Sequence, residues 1–109
     1  MALPMTGEIL WEITTPLGFR VRVARHYWEV IITMKHPVMA GREAEVQAAL
    51  ASPDEIRQSK TDAAVLLFYK RIGVRRWICA VARHLNGDGF LITTYPTDVM
   101  KEGERIWPK

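Results

Sequence analysis

The segment over residues 65–95 constrains this chain most. VLLFYKR (65–71) and RWICAVARH (76–84) are long runs of aliphatic, aromatic and β-branched residues, and FLITTY (90–95) is a third. Each has the length and composition of a strand. Ile72-Gly73-Val74-Arg75 turns the chain between the first two. Asn86-Gly87-Asp88-Gly89 separates the last two, with residues that tolerate positive φ and so close a tight hairpin. Strands joined by turns this short pair antiparallel. Whatever precedes them must pack on a sheet.

Upstream, Ile9, Trp11 and Ile13 alternate along a first short strand. Thr15-Pro16-Leu17-Gly18 is a turn, because proline presets one φ and glycine accepts the unusual one. Phe19, Val21 and Val23 then alternate with Arg20, Arg22 and Ala24, so the two segments read as a β-hairpin. Over 25–35 the period changes, and Tyr27, Trp28, Ile31 and Ile32 follow helical spacing. The β-branched run 30–33 works against that helix, and His36-Pro37 ends it. A second helix begins near Met39 or Gly41. Glu43 and Glu45 suit its positive end, Val46, Ala49 and Leu50 form its apolar stripe, and Ser52-Pro53-Asp54 stops it. Residues 55–59 read as a short strand with Ile56 inward and Glu55, Arg57 and Ser59 on the other face. Lys60-Thr61-Asp62 is a turn. Pro96 is expected to stop the strand that starts at Phe90, Thr97 and Asp98 to cap a turn or short helix through Lys101, and 104–107 to form a last short strand.

The layout is α+β: an N-terminal β-hairpin, two helices, then a four-stranded antiparallel sheet with the helices packed on one face. The other face is expected to be open to a ligand. At 109 residues the chain reads as one domain, with a tail (1–5) and hairpin up to 23 and the core over 24–109.

Composition narrows the chemistry. A net charge of +3 permits a polyanionic partner such as RNA without requiring one. Cys79 is the sole cysteine, which excludes an internal disulfide and a zinc-type cysteine pair, and points to a cytoplasmic compartment. No apolar run reaches the ~18 residues of a membrane span, and residues 1–6 lack a signal peptide's charged region and apolar core. A phosphate-cradling glycine loop, HExxH and CxxC are missing, and His26, His36 and His84 are scattered. No metal and no cofactor are expected.

The candidate residues each carry two readings. His36, at a helix end, is either a histidine favouring the negative end of the dipole or a general acid or base titrating near neutrality. Arg57, Ser59 and Lys60 are either a charged edge that discourages aggregation or a phosphate grip of guanidinium fork, hydroxyl and ammonium. Tyr69 is either core with a hydrogen-bonded hydroxyl or a base-stacking platform. Arg83 and His84 straddle the two faces at the end of their strand. Thr93 and Tyr95 share a face, and Thr97 continues the alternation out of the strand.

The pieces KHPVMAGRE (35–43), SPDEIRQSK (52–60), VLLFYKR (65–71), RWICAVARHLNGDGFLIT (76–93) and YPTDVMKEGERIW (95–107) together resemble uncharacterised bacterial and phage-type members of the barnase–EndoU–colicin–RelE superfamily of small ribonucleases. The resemblance covers nearly the whole chain after the hairpin. It implies a metal-independent endoribonuclease, often the toxin of a toxin–antitoxin module, that cuts RNA by attack of the 2′-OH on phosphorus, with a cognate antitoxin as partner. Carried over, His36 would be the acid or base, and Arg57, Lys60 and Arg83 the phosphate clamps. Ser59, Tyr69, Tyr95 and Thr97, with Thr93 beside them, would position phosphate or base. A second catalytic histidine is not evident, since His84 is placed to face either the site or the core. The alternative is a non-catalytic RNA- or protein-binding regulatory domain on the same scaffold.

Overall fold

The computed structural model describes residues 7–100 and 103–109. The tail expected over 1–5 and the Lys101 end of the expected turn or short helix lie outside the described residues. The chain is α+β, as the strand and helix periods require. The elements run β1 (Ile9–Thr14), β2 (Arg20–Ala24), α1 (Arg25–Val30), α2 (Glu43–Ala51), β3 (Glu55–Gln58), β4 (Val65–Gly73), β5 (Arg76–Leu85), β6 (Asp88–Thr97) and β7 (Glu104–Trp107). The helical turns continue past α1 as wider π turns over Ile31–Lys35, and a 3₁₀ turn covers Pro37–Met39.

The expected four-stranded sheet is the middle of a larger one. The order is β1-β2-β6-β5-β4-β3-β7, seven strands in one sheet. All neighbours are antiparallel except β2 and β6, which run parallel through Val21↔Gly89 and Arg22↔Phe90. The hairpin therefore extends the sheet, and β7 pairs beyond β3. Pro96 does not stop β6: it pairs with Ile78, on the half of β6 that no strand flanks on its outer side. A proline there removes no ladder bond from a neighbouring strand.

The first helix widens for a local reason. Thr33 Oγ1 donates to the Glu29 carbonyl at 2.6 Å, competing for a backbone acceptor. The His36 N–H reaches back five residues to the Ile31 carbonyl at 2.7 Å, and Pro37 ends the run. This helix lies along the unflanked half of β6. A bulge between Val81 and Ala82 and their partners on β6 leaves Ile92 outside the regular register. Its carbonyl accepts Tyr27 Oη at 2.8 Å and Lys35 Nζ at 3.3 Å, and Lys35 Nζ also donates to Tyr27 Oη at 2.9 Å. Helix α2 opens on an Arg42–Glu45 pair at 2.5 Å. Hydrogen bonding from Arg42 holds the Glu45 carboxyl below its ordinary value.

The helices close one face. Tyr27, Trp28, Ile31, Met39, Val46, Ala49 and Leu50 pack on Val21, Val23, Ile56, Phe68, Ile78, Ala80, Ala82 and Leu91. Ala80 and Ala82 on the central strand are small, which lets α2 approach β5. Fully burying a side chain such as Phe68 contributes about 1.5–3 kcal/mol.

The second face is not the open surface that the strand pattern led one to expect. Leu67, Tyr69, Cys79 and Val81 are buried there, with Val65, Trp77, Ile92, Tyr95 and Met100 packed against them. The reason is topological. β6 and β7 are consecutive in the chain, yet β5, β4 and β3 stand between them in the sheet. The link between them has to cross the sheet, and Met100, on that link, packs onto this face.

Candidate functional site

Cross-strand partners in an antiparallel pair share a face, so the registers define rows across the second face. Glu55, Tyr69, Cys79 and Tyr95 form one row, and Arg57, Leu67, Val81 and Thr93 the next. Val65, Arg83 and Phe90 form a third, near the end of the sheet where the β1–β2, β3–β4 and β5–β6 turns gather. The other end carries the β4–β5 turn.

The expected catalytic set is divided between these places. The His36 ring lies 5.3 Å from the Tyr95 ring, tilted by 41°, at the outer edge of β6. Arg57 is on β3, three strand intervals away, about 14 Å across the sheet. His36 therefore does not join Arg57, Ser59 and Lys60: the helix it terminates is held along β6 by Tyr27 and Lys35, on the far side of the meander. Arg57 donates through Nε to Glu55 and stands 5.9 Å over the Tyr69 ring.

At the turn end the remaining residues hold one another. Arg83 donates to Asp62 at 2.6 Å, and Ser59 Oγ lies 3.1 Å from Thr61 Oγ1 while accepting the Thr61 N–H at 3.3 Å. The Ala64 N–H first, and then Arg83, hold the Asp62 carboxyl below its ordinary value. Lys60 is exposed and in no ion pair among the described residues.

The expected substrate-positioning residues are mostly withdrawn from solvent. Tyr69 is 1% exposed and belongs to the second core, so it offers no stacking platform. The Thr93 hydroxyl is sealed without a hydrogen-bond partner among the described residues. Thr97 Oγ1 accepts the Val99 N–H at 3.3 Å and closes a local turn. Tyr95 is half-buried against His36.

A concave site does exist at the turn end, built, His84 apart, by residues that the sequence pattern placed only as hairpin and turn. Because β2 and β6 start side by side, the β1–β2 and β5–β6 turns flank a cleft of about 610 Å³. Its charged and aromatic lining is Glu12, Phe19, Arg20, Arg22, His84 and Asp88. Arg20 pairs with Glu12 at 3.3 Å and Arg22 with Asp88 at 3.1 Å. The His84 ring stacks flat on Phe19, with centroids 3.8 Å apart and planes within 5°. Its Nε2 is buried and has no partner among the described residues.

Gly89 makes this arrangement fit. A Cβ there would lie 2.5 Å from the Arg20 carbonyl oxygen and 2.8 Å from the Phe19 ring. Any side chain at 89 would push β2 and Phe19 away and undo the cleft floor. Asn86 and Gly87 both take positive φ, 53° and 82°, as a tight hairpin turn requires.

Compared with protein-family models, curated proteins and solved structures, the chain matches none. The cleft must be read from its own chemistry.

An imidazole, two guanidiniums and two carboxylates around a space of small-ligand size can bind an anion and move protons. Arg20 and Arg22 were visible in the sequence as the polar side of a hairpin strand, and Asp88 as a turn residue. What was missing is the β2–β6 pairing between segments 66 residues apart, which no local pattern signals. Among the described residues, no helix is long and apolar enough to cross a membrane, and no group of three or more His, Cys, Asp or Glu is placed to hold a metal ion.

Proposed function

We propose that the protein is a metal-independent endoribonuclease of the barnase–EndoU–colicin–RelE type, the toxin of a toxin–antitoxin module, with its reaction centre in the turn-end cleft. The fold supports this reading through two helices followed by the antiparallel β3–β4–β5–β6 meander. The observation that carries it is the convergence of His84, Arg20, Arg22 and Glu12 on one cleft. Glu12 takes the proton from a ribose 2′-OH, and the 2′-oxygen attacks phosphorus. The guanidiniums hold the non-bridging oxygens as charge accumulates, and His84 serves as the general acid to the departing 5′-oxygen. Glu12–Arg20 is an exposed pair, with Arg20 69% exposed, and such pairs are worth about 0–1 kcal/mol. A phosphate can take Arg20 from Glu12 at small cost and free the carboxylate to act as base.

The test is incubation of the purified protein with RNA in EDTA. Cleavage leaving 2′,3′-cyclic phosphate ends is expected, with a loss of about 10²–10⁴-fold in His84→Gln and a comparable loss in the Arg20→Gln/Arg22→Gln pair. His36→Ala is expected to cut at the wild-type rate. Activity that depends on His36 and survives loss of His84 would move the site to the β6 edge.

A second reading, RNA binding without turnover, is favoured by the closed Arg22–Asp88 and Glu12–Arg20 pairs, which leave both guanidiniums engaged. It predicts salt-dependent RNA binding and no cleavage products under the same conditions.

A further inference from the structure

The β4–β5 turn carries a second cationic surface, at the opposite end of β5 from His84. Lys70, Arg71, Arg75 and Arg76 fall within seven residues, and the three arginines are exposed. Lys70 Nζ donates to the Ser52 carbonyl at 2.8 Å and Arg71 Nε to the Gly73 carbonyl at 3.0 Å, so their hydrogen-bond partners are neutral. The Asp54 carboxylate accepts the Arg71 backbone N–H at 2.6 Å rather than a guanidinium. Among the described residues, none of the four side chains forms an ion pair.

The turn is also locally unfavourable as a turn. Arg75 sits at φ 52°, the left-handed region that suits glycine or asparagine, and Val74 beside it is 83% exposed. A sequence selected for folding alone would place Gly or Asn at 75. The chain keeps an exposed guanidinium there instead.

We propose that this turn is a phosphate-binding arm that grips the RNA backbone independently of base sequence, about 27 Å along β5 from the cleft. The cations are not confined to one face, because Arg71 shares a face with Trp77 while Lys70 shares the opposite face with Ile78. That spread suits a flexible phosphate chain better than one flat surface. The spacing means that only an RNA long enough to span the sheet reaches both cationic centres. The arm goes beyond the proposed cleavage, and its binding role does not require turnover.

The experiment uses a 2′-O-methylated RNA of about 20 nucleotides, which cannot undergo 2′-OH attack, so binding is read apart from cleavage. Anisotropy is recorded against salt for wild type, Arg75→Gln/Arg76→Gln, Arg75→Gly, and Arg25→Gln as a surface control. Wild type is expected to bind, with a log–log salt slope that falls by about 1.4 in the double variant, two contacts at ~0.7 each for a single strand. Arg75→Gly is expected to lower the slope by about 0.7 while melting at or above the wild-type temperature. Arg25→Gln should keep the slope. Absence of wild-type binding, or an unchanged slope in the double variant, overturns the proposal. So does binding to phosphatidylserine vesicles that depends on Arg75 and Arg76 while RNA binding does not, which would assign the arm to a membrane surface.

Discussion

The two faces of the sheet are closed by different means. The first is covered by two helices, and its side chains from Val21 to Leu91 reach near-zero exposure over a wide area. The second is closed by the chain's own crossing from β6 to β7, and its core is four buried residues with a partly buried rim. The first face has redundancy: removing one contact leaves many. The second is thin, and its polar groups are less well satisfied. Thr94, facing the helices, donates its hydroxyl to the Cys79 carbonyl at 2.9 Å, while Thr93, facing the crossing, has no partner among the described residues. The difference says which face holds the fold together and which only had to be shut.

The largest effect belongs to the helix face. Phe68→Ala should destabilise by about 3–5 kcal/mol in chemical denaturation, because a fully buried ring leaves a cavity among α2, β4 and β5. Met100→Ala should cost about 1 kcal/mol, below the 2–5 typical of a fully buried Met→Ala, since Met100 is only partly buried. Equal losses for the two would break the comparison and make the crossing a structural element of the first rank. Next come the adjacent threonines. Thr94→Val should cost about 1 kcal/mol through a lost hydrogen bond, and Thr93→Val should stabilise by a similar amount by removing an unsatisfied buried hydroxyl. Opposite signs one residue apart are the sharpest form of the contrast.

The smallest effect is with pH. The Asp62 and Glu45 carboxyls are held below their ordinary values in the folded chain. Their stabilisation is therefore complete above the unfolded carboxylate values, about pH 4, and is lost as pH falls through the lower folded values. Asp62→Asn should lower stability slightly at neutral pH and converge with wild type in acid, so that the acid limb of its stability–pH curve is flatter.

Much of the fold was legible because its signals are local. The Asn86–Gly87 turn, the alternation of Phe19, Val21 and Val23, and the Val46, Ala49, Leu50 stripe each need only a few neighbouring residues. The strand at Glu55–Gln58 was legible for the same reason, and so was the shared face of Arg57 and Glu55. The sheet's full extent was not, because β2–β6 and β3–β7 are pairings between distant segments. The candidate site suffered most from that gap. His36 and Arg57 are close in sequence and chemically apt, but the helices carry the chain from one side of the meander to the other between them. Arg20, Arg22 and His84 are far apart in sequence and meet only because β6 returns to lie beside β2. The fate of Tyr69 turned on Met100, whose role depends on where β7 pairs.

The β2–β6 pairing also sets an order of events during synthesis. The β1–β2 hairpin emerges first, and its partner strand follows some 66 residues later. At about 5–20 residues per second that is a wait of roughly 3–13 seconds. For that time Val21 and Val23 lack β6 alongside, and the inner edge of β2 offers unpaired backbone groups to whatever strand arrives first. Arg20 and Arg22 lie along that same strand, and charged side chains discourage strand-to-strand association. The cations that line the cleft in the finished molecule thus also guard the nascent edge against another copy of itself.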